Sequence, residues 1–428
     1  MHVSFAATLL AVAFALLLSA PVASGQAIPT RVISKDGKWQ LLRANEPYRI
    51  RGAGGSASLE LLREIGGNSV RTWGADHLDE KLDAAQKLGL SVCVGIWLGH
   101  ERHGFKYDSP EQVKRQYESA RAQILKYKDH PAVLMWGIGN EMEGYAKGDN
   151  PNVWKAVNDI AKLAHEVDPN HPTMTVTAEI GGARVRCIRE LCPDIDIHGI
   201  NTYAGVTSIP KRYREAGGTK PYVITEFGPP GTWETAKTPW DKVQELTSTA
   251  KAEHYRRAWT EAIDSQPDLA LGGYCFNWGA KREATETWFG MFLSDGTKLA
   301  AVDVMAELWT GHAPANRCPK IEPIVLSGPQ RAAPGASLAA TIKLSDPDGD
   351  AIQTEWVFRR EPDAYKEGGD HEDATEVIAA TIVRSDTTTA ELRLPGQHGA
   401  YRLYAIVRDG RGAGATANVP LLVESPAK

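Results

Sequence analysis

Eight short apolar runs, each followed by an amphipathic stretch, predict an α/β fold, and two further observations close it into a barrel. The runs are nearly continuous in apolar residues, as strands of a parallel sheet buried on both faces must be. Polar side chains recur where the runs stop, at Arg71, Glu141, Tyr203, Glu226 and Trp278. A barrel gathers such ends at one mouth, whereas the rival doubly wound open sheet strings them along an edge. A (β/α)8 TIM barrel takes about 250 residues, and the stretch from Ile28 to about Cys318 has that size.

The repeats begin near Pro47. "YRIRGAGG" reads as the first strand, and "SASLELLREIGG" as a short helix closed by glycines. "NSVRTWG" and "DEKLDAAQKLG" form the next pair, and "LSVCVGIWLG" is the third strand. The helix "SPEQVKRQYESARAQILKYKDH" carries Ser109 as its cap and Pro110 at its first position. Its apolar residues Val113, Tyr117, Ala120, Ile124 and Tyr127 recur at helical spacing. "PAVLMWGIGNE" is the fourth strand, followed by the helix "NPNVWKAVNDIAKLAHEV". "PTMTVTAEI", "DIDIHGINTY", "PYVITEFG" and "LALGGYCFNWG" complete the set. Beyond "NRCPKIEP" helical periodicity stops, and Gly, Thr, Val and Pro dominate short strand-like runs. These residues predict a small β-sandwich that ends in a hairpin turning at Asp409-Gly410.

A length of 428 residues suits two domains. The N-terminus has an apolar core from about Ala6 to Leu18 followed by small residues, the pattern of a secretory signal, although His2 stands where Lys or Arg is usual. The expected organisation is a signal peptide at 1–26, a barrel at 27–318 and a sandwich at 319–428. The mature chain is then exported, secreted or periplasmic, with no membrane insertion. A net charge of −5 implies no polybasic surface for nucleic acid. Of the five cysteines, Cys187 and Cys192 are close enough in sequence to bridge across a turn in an oxidising compartment, and Cys93 and Cys275 sit in apolar runs.

Two carboxylates end two strands. Glu141 closes the fourth and Glu226 the seventh, about 85 residues apart, close to three barrel units of roughly 30 residues each. Strands four and seven face each other across a barrel mouth. Glycosidic bond cleavage needs such a pair, one carboxyl to protonate the leaving oxygen and one to attack the anomeric carbon or activate water. Trp97, Trp73 and His100 stand at other strand ends as further candidates for ligand contact.

"GNE" after one strand and "TEFG" after a later one resemble the acid/base and nucleophile motifs of clan A retaining glycoside hydrolases, and in particular the barrel domain of glycoside hydrolase family 2. "DIHGINTY" resembles that family's sixth strand end, with Asn201 and Tyr203 in place. The resemblance covers roughly residues 48–311. It implies Glu141 as acid/base, Glu226 as nucleophile and Asn140 on the sugar 2-hydroxyl. It also implies Tyr203 on the nucleophile, Arg71 orienting it and Trp278 as subsite floor. The implied reaction is hydrolysis of a β-linked glycan with retention and without a cofactor. Family 2 enzymes carry β-sandwich domains before the barrel; here the sandwich follows it. That order is similar to endo-β-1,3-glucanases with a C-terminal immunoglobulin-like domain. "SVRTWGAD" is similar to β-1,3-glucanosyltransferases, so a β-glucan is the first expected substrate.

Competing readings attach to the same residues. The barrel alternatively transfers glycosyl groups to sugars, or binds carbohydrate without catalysis. Glu143 is a stand-in for Glu141, His198 a core histidine. "GAGGSA" matches a dinucleotide-binding pattern, but its glycines are expected to shape the first loop. "HERHG" spaces its histidines by three rather than the four a zinc helix uses, so no metal is assigned. "SDPDGDA" lacks the glycine position of a calcium loop and is read as an ordinary turn.

Overall fold

The computed structural model describes residues 25–144, 147–366 and 368–425. The expected signal segment lies outside the described residues up to position 24. Strands β1 (Thr30–Lys35), β2 (Lys38–Arg43) and β3 (Glu46–Pro47) form a small antiparallel sheet. Eight parallel strands then close a barrel: β4 (Ile50–Gly55), β5 (Ser69–Arg71), β6 (Ser91–Ile96), β7 (Val133–Asn140), β8 (Thr173–Ala178), β9 (Ile197–Asn201), β10 (Tyr222–Phe227) and β11 (Ala270–Trp278). These are the eight runs expected from the sequence, in the expected order.

Helices α1 (Leu59–Glu64), α2 (Leu78–Lys87), α3 (Pro110–Tyr127), α4 (Pro151–Val167), α5 (Arg184–Leu191), α6 (Ile209–Glu215), α7 (Ser248–Arg257) and α8 (Ala300–Thr310) belong to the outer layer. Their starts are written in the sequence. Ser109 and Asn150 accept backbone N–H bonds from Gln112 and Asn152, and a proline follows each cap. Helix α3 buries Ala120, Ile124 and Tyr127 as its spacing requires.

The β1–β2 hairpin was not anticipated. Its signal is "KDGK": Asp36 and Gly37 both take positive φ, as the tight hairpin turn demands. Val32, Trp39 and Leu41 pack on barrel-interior residues Ile50, Leu134, Met174, Val223 and Leu271. Arg43 donates to the carbonyls of Val133 (2.8 Å) and Pro131 (2.5 Å), at the start of β7. The hairpin therefore plugs the end of the barrel opposite the mouth.

The glycines of "GAGGSA" lie in the strand itself, not in the loop after it. A methyl group on Gly52 would come within 2.2 Å of the Tyr274 ring, and one on Gly54 within 2.8 Å of Trp73. They make room for aromatic rings inside the barrel. The expected Cys187–Cys192 bridge is absent: all five cysteines are free and buried. The physical reason is helical geometry. Cys187 lies within α5 and Cys192 just past its end, five residues on, so the two side chains leave different sides of the helix.

After the barrel come two four-stranded sheets. One orders Val325–Leu326, Ser337–Thr341, Thr389–Arg393 and Ile382–Ser385; the other orders Arg331–Ala332, Gly414–Val423, Gly399–Arg408 and Gln353–Arg360. Leu338, Ala340 and Leu392 of the first share one core with Phe358, Leu403, Ala405 and Ala417 of the second. In "SDPDGDA" the Asp346 carboxylate accepts the N–H groups of Asp348 and Asp350, and Arg317 and Arg411 pair with those two aspartates.

The sheets dock on the barrel through buried charge. Arg402, 1 % exposed, donates to Glu361 (2.5 Å), Asn418 (2.6 Å) and the Val243 carbonyl (2.8 Å) of the barrel. Among the described residues no helix is long and apolar enough to cross a membrane. Replacing Gly52 by Ala is expected to cost about 1–3 kcal/mol through overpacking against Tyr274. A thermal unfolding midpoint equal to that of the native protein would refute the packing role.

Candidate active site

The strand ends β5, β7, β9 and β10 converge at the mouth. Strand β7 stays buried to Gly139, then Gly139 and Glu141 take left-handed φ of +73° and +53° and turn the chain across the opening. A non-glycine residue in that region is uncommon and costs backbone energy. Here it holds the Glu141 carboxyl in a cavity of about 720 Å³, where Glu226 also stands.

Arg71 is the hub beneath the pair. It is 3 % exposed, and its guanidinium donates to Glu226 Oε1 (2.8 Å), to the Thr225 carbonyl (3.1 Å) and to Asn140 Oδ1 (2.6 Å). Asn140 Oδ1 also accepts from Asn201 (3.1 Å), which leaves the Asn140 amide N–H2 as the group it can offer a ligand. Asn201 Nδ2 donates to Glu141 Oε1 (2.6 Å), and Asn201 Oδ1 is fixed by Thr225 (2.8 Å).

Glu226 collects three donors. Besides Arg71, the Trp73 indole N–H donates to Oε1 and the Tyr203 hydroxyl to Oε2, both at 2.8 Å. Burial and the neighbouring Glu226 charge push the Tyr203 hydroxyl well above its ordinary range, so it stays a neutral donor. Such a shell suits an ionised carboxylate, which only accepts. Glu141 differs. Desolvation first, and the charge of Glu226 second, push its carboxyl up to about 7. The two glutamates thus differ in their surroundings: Glu141 is poised to hold a proton, while Glu226 is gripped by three donors.

The sequence candidates divide as follows. Glu141, Glu226, Asn140, Asn201, Tyr203 and Trp97 line the cavity. Arg71 lies under it and acts on Glu226 and Asn140 rather than on a ligand. Trp278 is not a floor: it is 1 % exposed, its indole N–H donates to the Ser58 carbonyl (3.1 Å) and its ring packs edge-on to Phe292. The cause is a register irregularity between Phe276 and Trp278 in the β4–β11 pairing, which resets the in–out alternation. His100 is also buried, stacked behind Trp97 at 4.9 Å, and burial holds its imidazole below the usual range. Glu143 is no substitute for Glu141, because Arg184 and the Ala178 N–H hold it, each at 2.8 Å. His198 is a fully buried core residue bonded to Thr177.

The floor and rim come from residues the sequence did not single out. Phe276 and Phe289 form an aromatic base beside Tyr203, and Trp233, 62 % exposed, stands edge-on to Tyr203 at 5.7 Å. Trp233 rides on the long loop after β10, whose path is fixed when Glu234 accepts the N–H groups of Gly231 (2.7 Å) and Ala204 (3.0 Å). Nothing local in "GPPGTWETAKTPWDK" encodes that clamp.

A family model decides the lineage of this barrel: residues 56–280 match the TIM barrel domain of glycosyl hydrolases family 2. The chain belongs to glycosyl hydrolase family 2. Among curated relatives, a β-glucuronidase of Streptococcus agalactiae is 24 % identical over 212 residues, 42 % of this chain and 34 % of that protein. A probable mannan endo-1,4-β-mannosidase C of Aspergillus terreus is 23 % identical over 146 residues, 28 % of this chain and 36 % of its own. The family 2 chain described here thus spans about a third of each of these two relatives. A β-glucuronidase structure from Ruminococcus gnavus superposes with a TM-score of 0.52 at 18 % identity, covering 67 % of this chain and 53 % of that one, a likeness of fold.

Replacing Glu226 by Gln removes the anion that disfavours ionisation of Glu141, so the Glu141 midpoint should fall below about 7. Carboxyl-carbon NMR titration of the variant reads this; an unchanged or higher midpoint would break the coupling.

Proposed function

We propose that the barrel is a retaining β-glycoside hydrolase acting by double displacement. The supporting observation is the unlike pair: a proton-holding Glu141 and an anionic Glu226 on one cavity. The Glu226 carboxylate attacks the anomeric carbon as Glu141 gives its proton to the departing glycosidic oxygen, forming a glycosyl ester. Once Glu226 is neutral in the ester, the repulsion that raised Glu141 is gone. Glu141 then takes a proton from water, whose oxygen attacks the same carbon and releases Glu226. Arg71, Trp73 and Tyr203 keep Glu226 aimed; the free N–H2 of Asn140 is placed for a sugar hydroxyl. No step calls on a cofactor.

The substrate we propose is a neutral β-linked glycan. Glu141, Glu179, Glu226, Glu234 and Glu283 line the cavity, and its cations Lys281 and Arg184 are paired with Glu283 and Glu143, each at 2.8 Å. Glu226 and Glu179 are in turn held by Arg71 and Arg212, each at 2.8 Å, so a sugar carboxylate would find these cations already paired. Trp97 and Trp233 offer flat faces to sugar rings, and a β-glucan, β-1,3-linked, is the first polymer to assay. The trailing sheets are taken as an immunoglobulin-like domain, and the apolar N-terminus as an export signal to the periplasm or medium.

Glu226→Ala should abolish turnover of aryl β-glycosides. Glu141→Ala should lower it about 10²–10⁴-fold for poor leaving groups and much less for dinitrophenyl glycosides, which need no protonation. In the native protein kcat/KM should fall as pH rises through about 7, where Glu141 loses its proton. Neutral glycosides should be cleaved in preference to glucuronides. A panel of glucans, mannans, galactans and xylans on which native protein and Glu226→Ala are equally inactive would leave a carbohydrate-binding barrel; products longer than the substrate would assign transfer.

A further inference from the structure

The mouth of the barrel is uneven. Its β4, β5 and β8 are followed by short connections, residues 56–58, 72–77 and 179–183, while β6, β10 and β11 carry long loops. In the closed order β11-β4-β5-β6 this leaves a low side on the rim. A segment from the far end of the chain reaches that side. It leaves the C-terminal sheet after Arg360, and its Gly368 and Gly369 line the same cavity as Glu141 and Glu226.

Three attachments hold it there. At its base, Glu361 receives Arg402 (2.5 Å), Lys242 donates to the Pro362 carbonyl (2.5 Å), and Tyr365 packs against the aromatic base under the cavity. On the β11 side, Glu372 accepts the Ala284 N–H (2.9 Å) and the segment's own Lys366 N–H (2.8 Å). There Gly369 lies against Lys281: a methyl group at that position would stand 2.8 Å from the ammonium. At the tip, Asp370 meets Arg102 (3.3 Å) and His103 (3.7 Å) on the loop after β6. Gly368 and Gly369 both take left-handed φ, 59° and 76°, so the part facing the cavity is bare backbone that a ligand can approach closely.

We propose that residues 361–366 and 368–372 form a substrate-contacting wall of the cleft, so that the C-terminal sheets set how long a glycan the site accepts. The proposal rests on the glycosidase reading of the same cavity. The base and side are buried and fixed, whereas the tip is a half-exposed ion pair of the kind that adds little to stability. Loss of the tip pair therefore loosens the wall without unfolding the protein.

The test uses full-length Glu226→Gln protein with laminari-, cello- and manno-oligosaccharides of two to six units, read by amide hydrogen exchange. Residues 361–366 and 368–372 should gain protection with the longer members, together with the loops bearing Trp97 and Trp233, while α3 stays unchanged. Protection of those loops alone would overturn the wall and leave hydrolysis standing, and protection nowhere would overturn it as well. Protection of 361–366 and 368–372 in a protein whose native form cleaves none of the ladder would uphold the wall and sink hydrolysis. In the catalytic background, Asp370→Ala should raise KM for the six-unit member of a cleaved series about fivefold more than for an aryl monoglycoside, through binding rather than kcat. Equal effects on both substrates would contradict a length-reading wall.

Discussion

Everything at the mouth of this barrel leans on one buried cation. The Arg71 guanidinium joins three strands: it issues from β5, grips Asn140 at the end of β7 and holds Glu226 on β10. Burying a charge is expensive unless it is paired and hydrogen-bonded, and here the partners are the groups whose positions matter. The same contact that offsets the desolvation of Arg71 fixes the orientation of Glu226 and, through Asn140 and Asn201, that of Glu141. Deleting the guanidinium would leave Glu226 with neutral donors only. An arginine suits this place because its planar fork serves two acceptors on separate strands at once.

The electrostatic asymmetry of the two glutamates follows from their backbone positions. Glu226 lies within β10, at a register irregularity, and meets donors from β5 and from the stretches after β5 and β9. Glu141 sits one residue past its strand, in a left-handed turn, where among the described residues Asn201 alone reaches its carboxyl as a side-chain donor and Glu226 supplies repulsion. Two residues of one type thus acquire different surroundings from a difference in where their strands stop.

Much of this was legible in the chain. Strand count, strand order and the two terminal carboxylates depend on local periodicity and on where an apolar run meets a polar residue. What the sequence hid depends on long-range geometry. Trp278 looked like its neighbours at other strand ends, yet a register irregularity two residues earlier sends it into the helix layer. Gly52 and Gly54 mimicked a nucleotide loop, although their neighbours are the rings of Tyr274 and Trp73. The N-terminal hairpin announced itself in Asp36-Gly37, a signal easily overlooked ahead of eight stronger repeats. Trp233 and the segment at Gly368-Gly369 gave little local sign, since long-range contacts, Ala204 with Glu234 and Arg102 with Asp370, bring them to the cavity.

The attachment of Glu361, Tyr365 and Glu372 to the barrel has a bearing on how the protein is made. Synthesis runs from the N-terminus, and domains tend to fold in that order as they emerge. The eight repeats can assemble while the later residues are still being translated, yet Gly368 and Gly369 join the cavity only once the trailing sheets have formed. A nascent barrel would carry Glu141 and Glu226 before it had the enclosure that Gly368 and Gly369 give their cavity.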